Sequence, residues 1–335
     1  MKSFRRAVLM GDPTHFSIKG GANPHTRDIF GRKKSVDKEL AITQWHNMAK
    51  TLTQYGVDVY VVPPDPNWPG MVYPANAGFL SQLDEEIPIQ QKTFILSNLL
   101  PTRVGEKEHY KVFLTNLGYK TVEISRRFEG EADLFPVGNA YIFSYGRIEE
   151  QRFVLRFGFP PWKRIYGFRT DREVLTELKP YLGNRSIIEQ VLINEAHYHG
   201  DTVFCALGPN KEYLLVYMEG LSPDSQERLK NRLRDQIIPL AQEDAWRYAS
   251  NSFQTIVEGT PYLFVPSGLS RRLLDRIRER GVHPVEVDVS EFMKKGGGSV
   301  KCMIGDLGWV VDDPAQLPSA QKEFRKKHLY QNLFS

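Results

Sequence analysis

One pattern of apolar and polar positions recurs along the chain: an amphipathic helical segment stops at a glycine, and a strand of β-branched or aromatic residues follows at once. Clear copies are 52–56 followed by 57–62, 114–118 followed by 119–124, and 277–281 followed by 282–289, and a weaker copy surrounds Gly183. Glycine accepts the left-handed conformation that ends a helix, and the apolar period then changes from about 3.6 residues to 2. The first copies end roughly 60 residues apart, so the chain has room for about five such units.

Two architectures fit this repeat. The units could form pseudo-symmetric α/β blades around a centre, or they could follow one another in an ordinary α/β sheet, where helix, glycine and strand also succeed each other often. No low-complexity linker divides the chain, so we predict a single domain over residues 1–335. The last predicted element is a helix with Ser319 as its N-cap and with the basic run Arg325–Lys327 in its solvated part.

Composition and charge narrow the class of protein. Of the 335 residues, 41% are hydrophobic and 12% aromatic, which is enough to pack a core. Lysine plus arginine number 44 and aspartate plus glutamate 40, with the two signs mixed along the chain, so neither nucleic acid nor a membrane is expected as a partner. The apolar run Ala7–Met10 is too short for a signal peptide, and no stretch approaches the length of a membrane span. Two cysteines, Cys205 and Cys302, indicate a cytoplasmic protein with reduced thiols and without a disulfide framework.

Three consecutive glycines precede the second cysteine, in the segment Lys295–Met303. Such a run is rarely placed for packing, because glycines give up rigidity and let a backbone pass close to a ligand. A lone cysteine is usually a small buried hydrophobe. In this setting, with Lys301 beside it to favour the thiolate, Cys302 is predicted to be reactive.

A second candidate segment holds two histidines and an aspartate at alternate positions, His197, His199 and Asp201, before an apolar strand at 203–207. In an extended chain alternate side chains share a face. Two histidines and a carboxylate could then bind a metal, or one histidine could serve a nucleophile while the aspartate binds a cation. Histidines that are simply satisfied at a strand end are the ordinary alternative.

Two further segments place polar groups among apolar or small neighbours. Phe128–Phe135 contains three carboxylates within five residues. A solvated acidic turn is the ordinary explanation, yet carboxylates in an apolar setting also suit a buried guanidinium, whose N–H groups they can bind in a bidentate way. Met71–Phe79 is a turn of small residues that presents one amide, Asn76.

Taken together and in this order, these segments resemble the guanidino-group-modifying enzyme superfamily, the pentein fold that includes arginine deiminases, dimethylarginine dimethylaminohydrolases, amidinotransferases and arginine dihydrolases. Gly297–Cys302 is similar to the family's closing glycine-rich loop with its nucleophile, and His199–Thr202 to its His-x-Asp-Thr segment. The resemblance spans nearly the whole chain. It implies an α/β fold of five ββαβ-like blades around a central polar channel, a five-bladed propeller with pseudo-five-fold symmetry, and our count of about five units agrees.

The arginine dihydrolase branch is the more similar in several places. Its Phe-Thr-Ala-Asn-Ala turn, its Phe-Glu-Gly-x-Gly-Asp segment and its Gly-Tyr-Gly-x-Arg-Thr segment correspond to Tyr73–Ala77, Phe128–Asp133 and Tyr166–Asp171. Its Ile-Asn-Pro and Arg-x-x-Glu correspond to 22–24 and Arg103–Glu106. By this resemblance the substrate contacts are Asn23, Asn76, Arg103 and Arg169.

The resemblance also implies a mechanism. Cys302 would attack the central carbon of a guanidinium that Asp133 and Asp201 clamp. His199, oriented by Glu129, would protonate the departing amine and then activate water. The substrate would be a small guanidino compound, converted in an arginine dihydrolase to ornithine, ammonia and carbon dioxide, and no metal or organic cofactor is needed. A homo-oligomer is possible.

Several alternatives stay open. Within the superfamily the reaction could be that of an amidinotransferase, an arginine deiminase or a dimethylargininase. Outside it, a metal hydrolase could be built on His197, His199 and Asp201, or the chain could be a non-catalytic pentein binding protein.

The sequence departs from the family pattern at two places. Glu131 and Ala132 replace small residues, so either Glu129 or Glu131 could orient the histidine. The stretch Tyr141–Arg164, rich in aromatics and arginines, is extra length that could reshape the substrate pocket.

Overall fold

The computed structural model describes residues 3–19, 21, 23–28, 30–155, 157–159, 161–312 and 317–334. The strands in these residues are β1 Ser3–Gly11, β2 Asp58–Val62, β3 Gly78–Leu80, β4 Thr93–Leu96, β5 Lys120–Glu123, β6 Leu134–Val137, β7 Ala140–Tyr145, β8 Arg152–Leu155, β9 Trp162–Ile165, β10 Ser186–Val191, β11 Phe204–Leu207, β12 Tyr213–Val216, β13 Ile237–Pro239, β14 Phe253–Val257, β15 Thr260–Pro266, β16 His283–Val287 and β17 Gly305–Asp312. The helices are α1 Lys38–Gln54, α2 Glu106–Leu117, α3 Val174–Leu178, α4 Pro223–Leu233, α5 Gln242–Trp246, α6 Arg271–Arg278, α7 Ser319–His328 and α8 Tyr330–Leu333. This alternation confirms the predicted α/β class.

Within the described ranges, fifteen strands form five three-stranded sheets with one topology. The sheets are β17-β1-β2, β3-β4-β5, β6-β7-β10, β11-β12-β13 and β14-β15-β16. In each, the middle strand runs antiparallel to the first strand and parallel to the third. A parallel pair needs a crossover connection, usually a helix, and α1, α2, α3, α4 and α6 fill that position in turn. The ββαβ unit therefore recurs five times, with β17 and β1 joining the two ends of the chain in one sheet.

The helix-to-strand crossings take the predicted form. Gly56, Gly118, Gly183 and Gly281 have φ values between 61° and 107°, in the left-handed region that glycine adopts without a steric penalty. In the remaining unit α4 ends at Arg234, whose φ is 44°. The sequence pattern missed this copy because no glycine marks it.

Each crossover helix packs an apolar stripe on its own sheet. In α1 the buried positions include Ala41, Trp45, Met48 and Leu52, spaced by three and four residues as one helical face requires, and they join one apolar cluster with Val59 of β2. Each fully buried side chain of this size stabilises the fold by about 1.5–3 kcal/mol. The inner faces of the helices are thus filled with apolar side chains, and the polar candidate site residues lie mainly in the turns.

The turn before the first strand of each sheet carries a polar side chain or a thiol: Asn76 before β3, Glu129 before β6, His199 before β11, Asn251 before β14 and Cys302 before β17. Hydrogen bonds join each turn to the next, namely Ala75 N to Cys302 O, Asn76 Nδ2 to Glu129 O, Gly200 N to Asp133 Oδ1, Asn251 Nδ2 to Asp201 O, and Cys302 N to Asn251 Oδ1. The five turns thus form a closed ring, and equivalent positions of the repeat meet at one place.

Two expectations about the rest of the chain need correction. The C-terminal helix α7 exists, but Pro318 occupies its N-cap position and Ser319 is its first residue. Arg325 is buried instead of solvated, because its Nε and Nη2 donate to Leu117 O at 2.9 and 2.7 Å. The stretch Tyr141–Arg164 is only partly extra: its first five residues belong to β7, and the addition is the hairpin β8–β9.

None of the helices in the described part of the chain is long and apolar enough to span a bilayer.

Candidate active site

A cleft at the ring of turns holds about 760 Å³ of empty space and opens to solvent. Six of the predicted site residues line it, namely Asn23, Asn76, Arg103, Arg169, His199 and Cys302. The other three, Glu129, Asp133 and Asp201, are buried but do not line it. Residues far apart in the sequence are therefore brought to one pocket.

The glycine-rich loop shapes the wall next to the nucleophile. Phe292–Gly296 forms one π-helical turn, and Gly297 follows with a φ of 78°. A Cβ on Gly296 would overlap the hydroxyl of Tyr73, and one on Gly298 would crowd the ring of Tyr73. Glycine is needed at positions 296 and 298 because this tyrosine packs against the loop. Both glycines also line the cleft, but whether the loop backbone approaches a ligand stays a prediction.

Cys302 is only 3% exposed and lies between two polar side chains. Its Sγ donates to Asp201 Oδ2 at 3.4 Å, and Asn251 Nδ2 donates to the sulfur at 3.1 Å. Burial, and then the negative charge of Asp201, raise the pKa of the thiol well above its ordinary value, while the Ser299 backbone and Asn251 act in the opposite direction. These surroundings favour the protonated form of the thiol.

The expectation that Lys301 favours the thiolate is wrong. Its ammonium group turns away and lies 2.7 Å from Glu131 Oε1. Adjacent residues in a turn point in different directions, so nearness in sequence did not imply an electrostatic contact with Cys302.

His199 is paired with Glu129. Its Nε2 lies 3.3 Å from Glu129 Oε2, and both side chains are buried. Burial disfavours the charge of Glu129, but the adjacent imidazole of His199 and the charges of Arg169 and Arg103 outweigh it and lower its pKa to about 2. A carboxylate that stays ionised beside an imidazole fixes the tautomer and stabilises the imidazolium, as a general acid and base requires.

Glu131, the other candidate partner of His199, lies elsewhere. It pairs with Lys301 and accepts a hydrogen bond from Asp306 N at 2.7 Å. Burial, which outweighs the attraction of Lys301, raises the pKa of Glu131 to about 7. Glu129, and not Glu131, is therefore the carboxylate that pairs with His199.

Asp133 does not face the cleft, contrary to its predicted role as a clamp. Its Oδ1 accepts from Ser144 Oγ at 2.7 Å and Gly200 N at 2.8 Å, and its Oδ2 accepts from Thr170 Oγ1 at 2.6 Å. Both oxygens are therefore occupied by neighbouring chain segments. Asp133 positions the turn of His199 from behind.

Asp201 keeps one oxygen available. Its Oδ1 is buried and has no hydrogen-bond partner among the described residues, while Oδ2 accepts from Cys302. Burial raises the pKa of Asp201 to about 6. A buried carboxylate with an unused acceptor next to a nucleophilic sulfur suits a cationic group.

Asn76 and Arg103 form one unit of the cleft wall. Arg103 Nη1 donates to Asn76 Oδ1 at 2.8 Å, and Asn76 Nδ2 donates to Glu129 O at 3.3 Å. Arg103 also makes a bidentate pair with Glu106, with Nε–Oε1 and Nη2–Oε2 distances of 2.9 and 2.7 Å. Arg103 therefore orients the amide of Asn76 in addition to lining the cleft.

Arg169 and Asn23 meet at Tyr198 on another part of the wall. The Arg169 guanidinium carbon lies 4.2 Å from the centroid of the Tyr198 ring, within the range of a cation–π contact. Asn23 Nδ2 donates to the Tyr198 hydroxyl at 3.2 Å and to Gly296 O at 2.9 Å. Residue 22, part of the Asn-Pro motif, lies outside the described residues.

The metal alternative does not assemble. The residues before β11 form two 3₁₀ turns, Glu195–His197 and Gly200–Thr202, instead of the extended chain that would align the side chains. His197 Nδ1 bonds to Thr202 O at 3.0 Å, and the ring packs against Tyr217 and Trp246. Within the described ranges, no group of three or more histidine, cysteine or acidic side chains could hold a metal ion.

Sequence reasoning missed Asn251 and undervalued Tyr198. Asn251 occupies the same place in its repeat unit as Asn76 and His199, just before the first strand of a sheet. Alignment of the five units to each other could have found it. Tyr198 lies between the two histidines in the sequence, but only the fold shows that it joins Asn23, Arg169 and the glycine-rich loop.

Comparison with known proteins shows which enzymes the chain is similar to. The model of the eukaryotic N,N dimethylarginine dimethylhydrolase family matches residues 164–308. The N(G),N(G)-dimethylarginine dimethylaminohydrolase of Mycobacterium tuberculosis is 27% identical over 297 residues, which cover 89% of this chain and 84% of that protein. The bifunctional arginine dihydrolase/ornithine cyclodeaminase ArgZ of Synechocystis is 26% identical over 88% of this chain, which spans 37% of that longer protein. The chain is thus similar to enzymes of the guanidino-group-modifying superfamily.

Solved structures show which fold the chain has. The substrate-bound N-terminal domain of ArgZ superposes with a TM-score of 0.74 at 24% identity, over 90% of this chain and 98% of that one. A dimethylarginine dimethylaminohydrolase structure superposes with a TM-score of 0.62 at 19% identity, over 91% of this chain and 100% of that one. The mixed α/β arrangement is therefore the pentein fold of these enzymes.

Proposed function

We propose that this protein is a cysteine-dependent hydrolase of the guanidino group of arginine or an arginine derivative, and that its reaction is that of an arginine dihydrolase. Arginine and two waters would give ornithine, two ammonia molecules and carbon dioxide. The observation that carries the proposal is that Cys302 and His199 line one cleft, while a buried carboxylate contacts each of them from behind the wall, Asp201 at the Cys302 thiol and Glu129 at the His199 imidazole. The similarity to a dimethylargininase and to a bifunctional arginine dihydrolase supports the substrate class.

Substrate binding uses the charges of the site. We place the guanidinium beside Cys302 and the amide of Asn76 on the cleft wall. Asp201 lies behind Cys302, with Oδ2 3.4 Å from the sulfur and Oδ1 without a partner among the described residues, so its charge acts on a cation bound at the sulfur. Asn23, Arg103 and Arg169 supply the remaining contacts, and the two arginines suit the carboxylate of an amino acid. The bound cation offsets the negative charge that raises the pKa of Cys302, so the thiol ionises when the substrate enters.

The chemical steps balance with these groups alone. The thiol proton passes to His199 and the sulfur attacks the guanidinium carbon. The imidazolium, stabilised by Glu129, protonates the departing ammonia and leaves a thiouronium-type adduct on Cys302. Neutral His199 then takes a proton from water, which attacks the same carbon, and the carbon–sulfur bond breaks to leave a ureido product. A second round on that product releases the other ammonia, carbon dioxide and ornithine.

The products of arginine turnover test the proposal. We expect one ornithine and two ammonia molecules per arginine, with little free citrulline, measured by amino-acid analysis and an ammonia assay. Asn76→Asp should shift the outcome toward citrulline or abolish turnover, because an aspartate cannot donate to a neutral ureido group and would pair with Arg103 as an anion. Asn98→Asp is the control, since the Asn98 amide donates to Ser125 O outside the cleft. If the wild type produces only citrulline, the enzyme is an arginine deiminase and the dihydrolase proposal is wrong.

Acid should weaken substrate binding through Asp201. Its pKa of about 6 means that the carboxylate loses its charge as the pH falls below 6, so the Kd for arginine should rise about tenfold per pH unit there. Calorimetry on Cys302→Ala measures binding without turnover. Glu129, with a pKa of about 2, stays ionised over this range and does not add to the effect. A Kd that is constant between about pH 4.5 and 7 would remove Asp201 from the guanidinium site.

Hydrolysis of dimethylarginine is the second candidate function, favoured by the family model over 164–308. That segment contains Arg169, His199, Asp201 and Cys302, so the shared catalytic groups alone do not separate the two reactions. Comparing kcat/KM for arginine and for dimethylarginine, with citrulline and dimethylamine as products of the latter, decides between them. A higher value for dimethylarginine would replace the first proposal.

We also propose that the five sheets are the blades of a five-bladed propeller. The closed ring of hydrogen-bonded turns supports this arrangement, because it places the first strand of every sheet around one centre.

A further inference from the structure

Asn251 is the side chain outside the predicted set that is bound most closely to the nucleophile. It is fully buried. Its Oδ1 accepts from Ser299 N at 3.1 Å and from Cys302 N at 3.0 Å. Its Nδ2 donates to Cys302 Sγ at 3.1 Å and to Asp201 O at 3.3 Å. All four hydrogen-bonding positions of the amide are thus used within the nucleophile's surroundings.

The network fixes which end of the amide faces the sulfur. Ser299 N and Cys302 N are backbone donors, so the group that meets them must be an oxygen. The NH₂ group is then necessarily the one that points to Cys302 Sγ. An amide held in this way presents a donor to the sulfur whether the sulfur is a thiol or a thiolate.

The charges around Cys302 make this donor important. Asp201 lies 3.4 Å from the sulfur and opposes a second negative charge, and the cation of Lys301 is paired with Glu131. Of the groups that favour the ionised sulfur in the empty site, the Ser299 backbone and the Asn251 amide are the principal ones. A hydrogen bond to an ionised group is about twice as strong as one between neutral groups, so its effect grows when the thiolate forms.

We infer that Asn251 is a further catalytic residue, which stabilises the Cys302 thiolate by donating Nδ2–H to the sulfur. The inference rests on the proposed function, since it gives Asn251 a role in ionising the proposed nucleophile. Its position in the fourth turn of the ring explains how a residue distant in sequence reaches the thiol.

Alkylation of the thiol tests this role without any substrate. All proteins carry Cys205→Ala, so that iodoacetamide reports on Cys302 alone. Asn251→Asp keeps an oxygen acceptor for the two backbone donors but loses the N–H donor, and Asn251→Ala loses both. Below the pKa the rate follows the thiolate fraction, so both variants should alkylate Cys302 about tenfold or more slowly at pH 8–9. The kcat for arginine should also fall by about tenfold or more in both variants. Asn251→Asp should keep a Tm close to that of the parent.

A matched control is Gln254→Glu, which also places an acid at a buried amide. Gln254 makes both of its hydrogen bonds with the backbone of Gly208 and none with the nucleophile loop, so its alkylation rate should equal that of the parent. Equal alkylation rates in the Asn251 variants and the parent would overturn the inference, and so would failure of both variants to fold. If the Asn251 variants alkylate slowly but the parent turns over no guanidino compound, the role of Asn251 as a hydrogen-bond donor to the thiolate is supported and the proposed function is refuted.

Discussion

Replacing Cys302 with alanine is expected to lower kcat by about 10⁴-fold or more while the protein still folds and binds arginine. The reason is that no other group at the cleft can supply a thiolate to the guanidinium carbon. The sulfur is the only atom removed, and the hydrogen bonds of the Cys302 backbone to Asn251 and Ala75 remain. Steady-state kinetics measures the loss, and circular dichroism with calorimetry measures folding and binding.

Cys205→Ala is the matched control for this variant. Cys205 is also buried, but it lies in β11 and does not line the cleft, so we expect it to be a structural thiol. We expect its replacement to change kcat less than about threefold, because structural cysteines act as small hydrophobic residues. If Cys302→Ala keeps activity and Cys205→Ala loses it, the nucleophile is misassigned.

Glu129→Gln is the second variant with a large expected effect, a fall in kcat of about 10²–10⁴-fold. Glutamine keeps the shape but not the charge that stabilises the imidazolium of His199 at 3.3 Å. It also leaves the guanidinium groups of Arg103 and Arg169, each 3.9 Å from the carboxylate, without this counter-charge. The pH dependence of kcat should move to lower pH, because the protonated histidine loses its stabilisation.

Glu131→Gln separates this effect from the general cost of changing a buried carboxylate. Glu131 lies in the same turn, but it pairs with Lys301 and not with His199. Its replacement should lower the free energy of unfolding, since it leaves the partly buried ammonium of Lys301 without its counter-charge and with Ile304 O as its hydrogen-bond acceptor. It should leave kcat within about threefold. A larger kcat loss in Glu131→Gln than in Glu129→Gln would reverse the two roles.

The repeat was predictable from the sequence because its signal is local. A helix that ends at Gly56, Gly118 or Gly281 and a strand that starts at once are fixed by backbone preferences and by the change in apolar period. The resemblance to known motifs then identified Cys302 and His199, whose short segments keep a recognisable order. The copy at Arg234 was missed because a residue other than glycine has the positive φ there.

The contacts that the sequence did not reveal depend on the direction in which side chains point inside turns. Lys301 was expected to act on Cys302 because it is adjacent in sequence, Asp133 was a clamp by the family resemblance, and Glu131 was left open as a partner of His199. The fold turns all three side chains to other partners. His197 was expected to share a face with His199, but 3₁₀ turns replace the extended chain. Asn251 has no motif of its own, and its importance follows only from the ring that places the fourth turn beside the fifth.

The central claim is that Cys302 becomes covalently bonded to the guanidino carbon during turnover. Arginine labelled with ¹³C at that carbon should be mixed with the enzyme, quenched in acid within milliseconds, and the digest examined by mass spectrometry. If Cys302 is the nucleophile, the peptide that contains Cys302 should carry a labelled adduct. No labelled adduct is expected on the Cys205 peptide or in Cys302→Ala. Consumption of arginine by the wild type with no labelled adduct at any quench time, together with undiminished turnover in Cys302→Ala, would contradict it.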